Sequence, residues 1–404
     1  MNINNIYNEL PNLKNISSNV DNVCLGKKIK DGKVTDELSV VYVVNEKKPL
    51  NEIPESELIP KSVKIDDNTF NTDVIEKLVV SVNTCPSEFN NDCVFSPVPN
   101  KSYIRPLEGG LSIRKTSNGI GTLGFFAKHT PTGALVGVSN AHVLNKYPLN
   151  VDEWCTGEDC DTNYNTLTEY VYQPGESSSY ETDQYKIGRV MYTYPLELSN
   201  NEVDVSILAV TSSTISNSSS YLQYDLSHTN VPPFATTEEI DSIIIDDIEL
   251  AASGRSTGPK EGNLCGLKIL QSNISVLVTN YGNNQIGYSW TLPFINQMSY
   301  TRANSDCPDP SIPGDSGSAV LGNFNGTWKI VGLNFAGGTN GSGIDIGIFC
   351  RIDKVASLMQ LESWDGSTLP YIDYENPETY IVTGQDSDKY KTIGGDRYWQ
   401  VGLI

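Results

Sequence analysis

Between about residues 105 and 360 the chain is a succession of short apolar runs separated by turns rich in glycine, asparagine and serine. Runs of this length, interrupted this regularly, are typical of strands in an all-β sandwich or barrel. The composition agrees, because 33 glycines, 21 prolines and 21 tyrosines favour strands joined by turns over a helical bundle. The expected strands lie at residues 121–128, 134–139, 187–192, 203–210, 269–279, 318–321, 329–335 and 344–349.

The segments on either side of this region have different patterns. Residues 1–82 combine strand candidates with a short helical stretch, which predicts a small N-terminal α/β accessory domain. Residues 83–104 contain Pro, Asn and Ser with little periodicity and predict a linker. Apolar residues at helical spacing in 351–362 predict a helix that ends the main domain, which spans 105–362. Residues 363–404 are a C-terminal extension whose pattern assigns no structure.

Charge and cysteine usage exclude several classes of function. The 28 Lys and Arg against 49 Asp and Glu give a formal net charge of −21, which repels phosphate backbones and argues against nucleic acid as a partner. There is no run of 18 apolar residues and no apolar signal core, so we expect a cytoplasmic protein with no membrane partner. The eight cysteines include no CxxC pair and no Cys/His cluster, so we expect no metal site and mostly free thiols.

Three short segments contain side chains suited to nucleophilic catalysis. The segment SNAHVL contains His142, NEVDVSIL contains Asp204, and PGDSGSAV contains Ser316. The order His, Asp, Ser is the chymotrypsin order and differs from the orders of subtilisin and the α/β-hydrolases. The other two histidines, His129 and His228, lie in turn sequence, and we expect them to be exposed and unrelated to this set.

Each residue type has a chemical reason to be there. A serine hydroxyl is a weak nucleophile, so Ser316 needs a base such as His142 within hydrogen-bond reach. Asp204 would hold the imidazole in the required tautomer and stabilise the imidazolium. Gly314 permits a tight turn that aims the backbone amides of Gly314 and Ser316 at one point, where they can stabilise an oxyanion.

These residues resemble the trypsin-like, chymotrypsin-fold serine peptidases over about residues 105–360, and the GDSGS motif is the most specific part. The resemblance implies two six-stranded antiparallel β-barrels, with His142 and Asp204 from the first barrel and Ser316 from the second. It also implies a serine endopeptidase that cleaves protein or peptide substrates without a cofactor or metal. Further short motifs resemble the plant narrow-leaf-type proteins and their bacterial relatives, a likeness that also allows a homo-oligomer. These motifs are GKKI at 26–29, GGLSI at 109–113, GTLG at 121–124, QPG at 173–175 and SGRSTG at 253–258.

The expected substrate region follows from the same resemblance. The residue six before the nucleophile, where trypsins carry their specificity aspartate, is Pro310, so a preference for Lys or Arg is not implied. An extended peptide is expected to pair with the edge of the strand near 332–338. Substrate or specificity residues are therefore expected at Pro310, Asn334, Phe335 and Gly337.

The chain departs from secreted trypsins in its activation. It has no Arg/Lys-Ile-Val-Gly-Gly cleavage site, so no new amino terminus can pair with Asp315 beside the nucleophile. A buried carboxylate without a partner is costly, so Asp315 needs a local one, and Arg255 is a candidate. We therefore expect the uncut chain to have a competent or substrate-inducible site.

Two other functions share the same residues. The chain could be a peptidase-fold binding or regulatory module that has lost turnover, because neither the partner of Asp315 nor the specificity pocket is evident from the sequence. It could also be an esterase that acts on small acyl groups with the same triad.

Overall fold

The structure is a computed structural model that describes residues 3–82, 99–115, 119–144, 170–194, 196–197, 199–210, 232–260, 266–281, 290–304, 306–307, 309–371, 390–393 and 396–399. Four α-helices lie in these parts of the chain. They are α1 (Ile3–Leu13), α2 (Ala141–Leu144), α3 (Thr237–Ser242) and α4 (Ile352–Met359). Helix α4 confirms the helix expected in 351–362, and it ends where Gln360 adopts a positive φ of 53°.

The N-terminal segment contains α1 and five strands. Helix α1 was not predicted; it buries Ile6 and Leu10, one helical turn apart, against the sheet. The short helical stretch expected within residues 1–82 is present as two 3-10 turns, at Leu50–Glu52 and Glu55–Glu57. The strands are β1 (Val20–Lys30), β2 (Lys33–Val44), β3 (Ser62–Ile65), β4 (Asn68–Glu76) and β5 (Leu78–Val82).

The remaining strands run from residue 112 to the C-terminal region. They are β6 (Ser112–Lys115), β7 (Ile120–Thr122), β8 (Phe125–His129), β9 (Ala134–Ser139), β10 (Tyr170–Tyr172), β11 (Lys186–Thr193), β12 (Ser206–Val210), β13 (Glu249–Gly254), β14 (Gly258–Lys260), β15 (Leu267–Tyr281), β16 (Trp290–Arg302), β17 (Ala319–Phe324), β18 (Thr327–Thr339), β19 (Asp345–Arg351), β20 (Leu361–Ser363), β21 (Tyr390–Ile393) and β22 (Asp396–Trp399).

The first large sheet has eight strands in the order β20-β8-β9-β12-β11-β10-β6-β7. One face packs around an apolar cluster that includes Leu123, Phe126, Leu135, Val171 and Leu208. The sheet has more than the six strands expected, because residues 121–128 form two strands, β7 and β8, and because β20 joins from beyond α4.

The second large sheet contains a closed ring of six strands. Each of β13, β17, β18, β19, β16 and β15 pairs antiparallel with the next, and β15 returns to pair with β13. This ring matches the six-stranded antiparallel barrel expected from the sequence. The chain is therefore mostly β, as predicted, with a closed six-stranded ring in the second sheet and an open eight-stranded first sheet, an arrangement consistent with the expected two-barrel fold class.

The N-terminal strands are hydrogen-bonded to the second sheet. β1 pairs with the middle of β15, and β2, β4 and β3 extend the sheet outward from β1. β5 lies between two strands of the ring, parallel to β15 and antiparallel to β18. Asn100 lies within the predicted linker 83–104, and its buried side-chain amide donates to the carbonyl oxygens of Gly110 and Gly254. The boundaries predicted at residues 82, 105 and 362 stay a prediction.

Three further findings concern membrane helices, the cysteines and the C-terminal extension. Among the described residues, no helix is long and apolar enough to cross a membrane. Cys24 and Cys350 are free, buried thiols, whereas Cys307 takes part in a disulfide bond, so free thiols are not the only state present. Strands β21 and β22 pair with each other as an antiparallel hairpin in the C-terminal extension.

Candidate active site

His142 and Asp204 are brought together by the pairing of β9 with β12. Ser139, the last residue of β9, pairs with Ser206, the first of β12. Helix α2 begins directly after β9 and carries His142, while Asp204 lies just before β12. His142 Nδ1 is 2.5 Å from Asp204 Oδ2, and the Ala141 amide donates to Asp204 Oδ1 at 2.7 Å. The carboxylate therefore holds both the imidazole and the start of its helix.

Two further buried side chains, those of Tyr281 and Cys350, lie close to Asp204. Its backbone amide donates to the Cys350 sulfur at 3.3 Å, and the Tyr281 ring packs edge-on against the imidazole, with centroids 5.7 Å apart. Burial, followed by the nearby Asp204 charge, raises the pKa of both Tyr281 and Cys350 well above their ordinary values. Both groups therefore stay neutral at physiological pH and add no negative charge beside Asp204. Sequence reasoning missed them, because an aromatic residue or a cysteine in an apolar strand is typical of any core.

Ser316 lies in the turn before β17, between two glycines with positive φ. Gly314 has φ of 101° and Gly317 has φ of 93°. A Cβ on Gly314 would lie 2.2 Å from Ser256 Oγ, and one on Gly317 would lie 2.1 Å from the Thr122 carbonyl oxygen. Both positions therefore require glycine for conformation and for space.

The histidine and serine segments meet at Gly121 in β7. A Cβ on Gly121 would lie 2.5 Å from Val143 and 3.0 Å from the Ser316 carbonyl oxygen. Ser316 Oγ donates to the Phe335 carbonyl at 3.0 Å, and Ser316 is fully buried. His142 Nε2 is also buried, and no described residue makes a hydrogen bond to it. The structure thus joins His142 to Asp204, while the Ser316 hydroxyl bonds to β18.

The two amides predicted as an oxyanion hole are not used elsewhere in the described part of the chain. The carbonyl groups of the same turn are fixed by Thr122: its Oγ1 donates to the Gly314 carbonyl and its amide to the Ser316 carbonyl, each at 2.8 Å. No hydrogen bond to another described residue is made by the Gly314 or Ser316 amide. Both amides are therefore free to donate to a ligand oxygen.

The carboxylate of Asp315 is held by backbone and hydroxyl donors of a neighbouring loop. Oδ1 accepts from the amides of Ser256 at 2.9 Å and Thr257 at 3.0 Å. Oδ2 accepts from Thr257 Oγ1 at 2.9 Å and from the Ile312 amide at 3.1 Å. The Ser-Gly-Arg-Ser-Thr-Gly loop thus supplies three of these four donors, and two of the three are backbone amides.

The sequence suggested Asp315 as the partner of Arg255, and this is wrong because Arg255 pairs with Glu176. The guanidinium forms a two-point ion pair with Glu176, with Nε to Oε1 at 2.9 Å and Nη2 to Oε2 at 2.5 Å. Glu176 directly follows the QPG motif, so two of the motifs noted in the sequence meet here. Nη1 of Arg255 donates to Ser256 Oγ at 3.0 Å, which places the guanidinium beneath Gly314.

Two of the expected specificity residues support the turn that carries Ser316. Asn334 is buried; its Nδ2 donates to Ser311 Oγ at 2.9 Å, and its Oδ1 accepts from Tyr300 at 2.9 Å. Phe335 supplies the carbonyl that binds Ser316 Oγ. Pro310 lies nearby, with its carbonyl 3.5 Å from the Tyr300 hydroxyl. The part these residues and Gly337 play in substrate recognition stays a prediction.

Of the other histidines, His129 is buried rather than exposed. It ends β8, and β20 pairs with it from the far side of α4. Its Nδ1 is 2.9 Å from Thr132 Oγ1, and burial lowers its pKa to about 4. The covering strand follows more than 200 residues later in the sequence, so the local turn pattern gave no sign of it. His228 lies outside the described residues.

Comparison with known proteins finds similarity only to solved structures, and at low sequence identity. No family model and no curated protein match the chain. Among solved structures, a glutamic acid specific serine protease described as using a histidine triad in substrate binding aligns at 15% identity, with a TM-score of 0.40, over 64% of this chain and 100% of that one. Thermobifida fusca protease A aligns at 14% identity, with a TM-score of 0.37, over 64% of this chain and 98% of that one. Cellulomonas bogoriensis chymotrypsin aligns at 13% identity, with a TM-score of 0.35, over the same shares. With TM-scores below 0.5, these likenesses say nothing about the substrate or activity of this chain.

Proposed function

We propose that the chain is a serine endopeptidase that hydrolyses peptide bonds through an acyl-enzyme intermediate on Ser316. The observation that supports this best is the contact of His142 with the buried Asp204 carboxylate, 2.5 Å from Nδ1 to Oδ2. It lies beside a turn whose Gly314 and Ser316 amides have no other acceptor among the described residues. A base, an orienting carboxylate, a serine and two spare donors are the groups that acyl transfer requires.

The first half of the reaction forms the acyl-enzyme. The Ser316 hydroxyl turns from the Phe335 carbonyl toward His142 Nε2, which takes its proton as Oγ attacks the substrate carbonyl carbon. The oxyanion of the tetrahedral intermediate accepts from the Gly314 and Ser316 amides. The imidazolium gives its proton to the amine as the C–N bond breaks, and Asp204 stabilises the imidazolium throughout. Water then attacks the ester carbonyl carbon while His142 takes a proton from it. His142 returns this proton to Ser316 Oγ as the ester C–O bond breaks, which releases the acid product.

The proposal also covers the protein's relatives, cellular location, partners and oligomeric state. It includes a kinship with the plant narrow-leaf-type proteins and their bacterial relatives, a cytoplasmic location, protein or peptide partners and the capacity to form a homo-oligomer. The support for the kinship is the set of short motifs, two of which, QPG and SGRSTG, adjoin each other through the Arg255–Glu176 ion pair.

The test is covalent labelling with a fluorophosphonate probe, followed by a peptide-library cleavage profile. Wild type should be labelled on Ser316 and should cleave peptides, and Ser316→Ala should do neither. Equal labelling of both proteins would refute the assignment of the nucleophile. Turnover of p-nitrophenyl esters together with no cleavage of casein or any library peptide would indicate an esterase instead.

A second candidate is a peptidase-fold module without turnover. It is favoured by one observation: the Ser316 hydroxyl bonds to Phe335, and the buried His142 Nε2 makes no bond within the described residues. Such a module would remain unlabelled at every pH at which it is folded, whereas a resting enzyme would be labelled slowly.

A further inference from the structure

One edge of β18 holds both a neighbouring strand and the catalytic turn. Leu333 pairs with Ala319 of β17, and the next residue, Asn334, accepts from the Gly317 amide at 2.8 Å. The carbonyl of Phe335, one residue further on, accepts from Ser316 Oγ at 3.0 Å. The edge therefore leads directly past the nucleophile.

Strand β5 occupies the next two positions of the same edge. Ala336 pairs with Val82 and Gly337 with Ser81, in the antiparallel sense. This is the part of β18 at which an extended peptide substrate was expected to pair, within residues 332–338. Because β5 runs antiparallel to β18, its chain direction leads from Gly337 toward Phe335 and the nucleophile.

The opposite edge of β5 is anchored to β15. Residues 78–81 pair in parallel with Val276–Thr279. At the end of this pairing, Ser81 Oγ and Thr279 Oγ1 are 3.1 Å apart, and Thr279 Oγ1 donates to the Val80 carbonyl at 3.1 Å. The pairings of β5 with β15 and with β18, together with these side-chain hydrogen bonds, therefore hold β5 against the edge of β18.

We propose that β5 is a built-in substrate mimic that keeps extended peptides off the edge of β18 until it detaches. The inference rests on the proposed peptidase function and adds its regulation. A strand already paired with Ala336 and Gly337 uses the backbone groups that a substrate strand would need. The measured kcat/KM for an extended peptide is then the intrinsic value multiplied by the fraction of molecules in which β5 is released.

A reversible disulfide tests this directly in the full chain. The hydroxyl oxygens of Ser81 and Thr279 are close enough that the double variant Ser81→Cys/Thr279→Cys can form a disulfide, on the edge of β5 away from the substrate. Oxidation should lower the turnover of an extended peptide by at least about tenfold, and reduction should restore it. The turnover of a small p-nitrophenyl ester, which does not need the strand edge, should fall less. Wild type and the single variants Ser81→Cys and Thr279→Cys, oxidised and reduced in the same way, are the controls.

A second variant moves the equilibrium in the opposite direction. Thr279→Val keeps the shape of the side chain but removes its hydrogen bonds to Val80 and Ser81. Loss of these two bonds should raise kcat/KM for the extended peptide by at least about fivefold. The matched control is Thr35→Val, which removes a similar threonine-to-carbonyl bond, 2.8 Å to Lys28, within the same N-terminal segment and away from β5. Its turnover should stay within about twofold of wild type.

The outcomes separate this inference from the function on which it rests. Ser316-dependent turnover that is equal in the oxidised and reduced double variant, or a fall shared equally by peptide and ester, would overturn the mimic and leave the peptidase intact. The absence of Ser316-dependent turnover in every form would overturn both.

Discussion

The hydroxyl of Ser316 donates to the carbonyl of Phe335, 3.0 Å away on β18. In the proposed peptidase, the nucleophile is thus bonded to the strand along which a substrate would pair, and its side chain must rotate before it can transfer a proton to His142. Hydrogen bonds at catalytic sites commonly form only in the substrate complex. Substrate binding on β18 and release of the hydroxyl are therefore expected to be coupled.

Substitutions in the triad should have unequal effects. Ser316→Ala and His142→Ala each remove a group that the covalent step requires, so acyl-enzyme formation should be abolished. Asp204→Asn keeps the shape of the buried side chain but favours the wrong imidazole tautomer, and should lower kcat by about 10⁴. Single-turnover release of the amine product measures all three. A His142→Ala protein with more than a tenth of the wild-type rate would show that another group is the base.

Asp315→Asn should destabilise the catalytic turn. The carboxylate accepts from two amides of the 254–257 loop, a hydroxyl and the Ile312 amide, and an asparagine NH₂ would face these donors. The free energy of unfolding should fall by about 2–3 kcal/mol, with a parallel loss of probe labelling at Ser316. Urea denaturation and labelling rates measure the two effects. Asp309→Asn, at a half-exposed carboxylate nearby, is the control and should change stability by less than about 0.5 kcal/mol.

The Arg255–Glu176 pair should behave as a unit. Arg255 is buried and Glu176 is mostly so, hence removal of either partner leaves a charge without its counter-ion. Arg255→Ala and Glu176→Ala should each lower the free energy of unfolding by about 3 kcal/mol. The double variant should be more stable than the sum of the single effects implies, by about 1–3 kcal/mol.

The control for this cycle is the more exposed pair Arg302–Asp345, whose Nη2 and Oδ2 are 2.7 Å apart. Its coupling, measured in the same way, should stay below about 1 kcal/mol. Additive effects at Arg255 and Glu176 would mean that the ion pair contributes little to the loop beneath Gly314.

His129 should make stability depend on pH below neutrality. Burial lowers its pKa to about 4 in the folded protein, whereas an unfolded histidine titrates near pH 6.5. Between these values the unfolded chain binds more protons, so the folded protein loses stability as the pH falls, by about 3 kcal/mol at pH 4. His129→Gln should remove this part of the dependence. Urea unfolding of both proteins at pH 7, 6 and 5 measures it, and parallel stability curves would contradict the shift.

The alternation of apolar runs and turns predicted much of the fold, and the three motif segments predicted that His142 and Asp204 lie together. Residues 134–139 form β9 as expected, and the three motif segments lie at strand ends, with His142 just after β9, Asp204 just before β12 and Ser316 just before β17. His142 and Asp204 meet because β9 and β12 are adjacent, a relation that the resemblance implied and the structure has.

What the sequence did not reveal depends on contacts between distant residues. The partner of Arg255 is Glu176, and the strand that covers His129 begins at residue 361. Neither contact leaves a periodic signal, because each depends on which segments the tertiary fold brings together.

The position of β5 has a consequence for biosynthesis. Residues 78–82 leave the ribosome long before their partners in β15 and β18, which end at residues 281 and 339. During that interval a nascent chain carries a β-branched segment, LVVSV, with both edges unpaired, and Val79 remains 56% exposed even in the finished fold. Pairings across such separations form slowly and leave unpaired edges open to aggregation. We therefore expect the yield of folded protein to depend on how long this segment stays unpaired, and a chaperone that shields the segment should raise that yield.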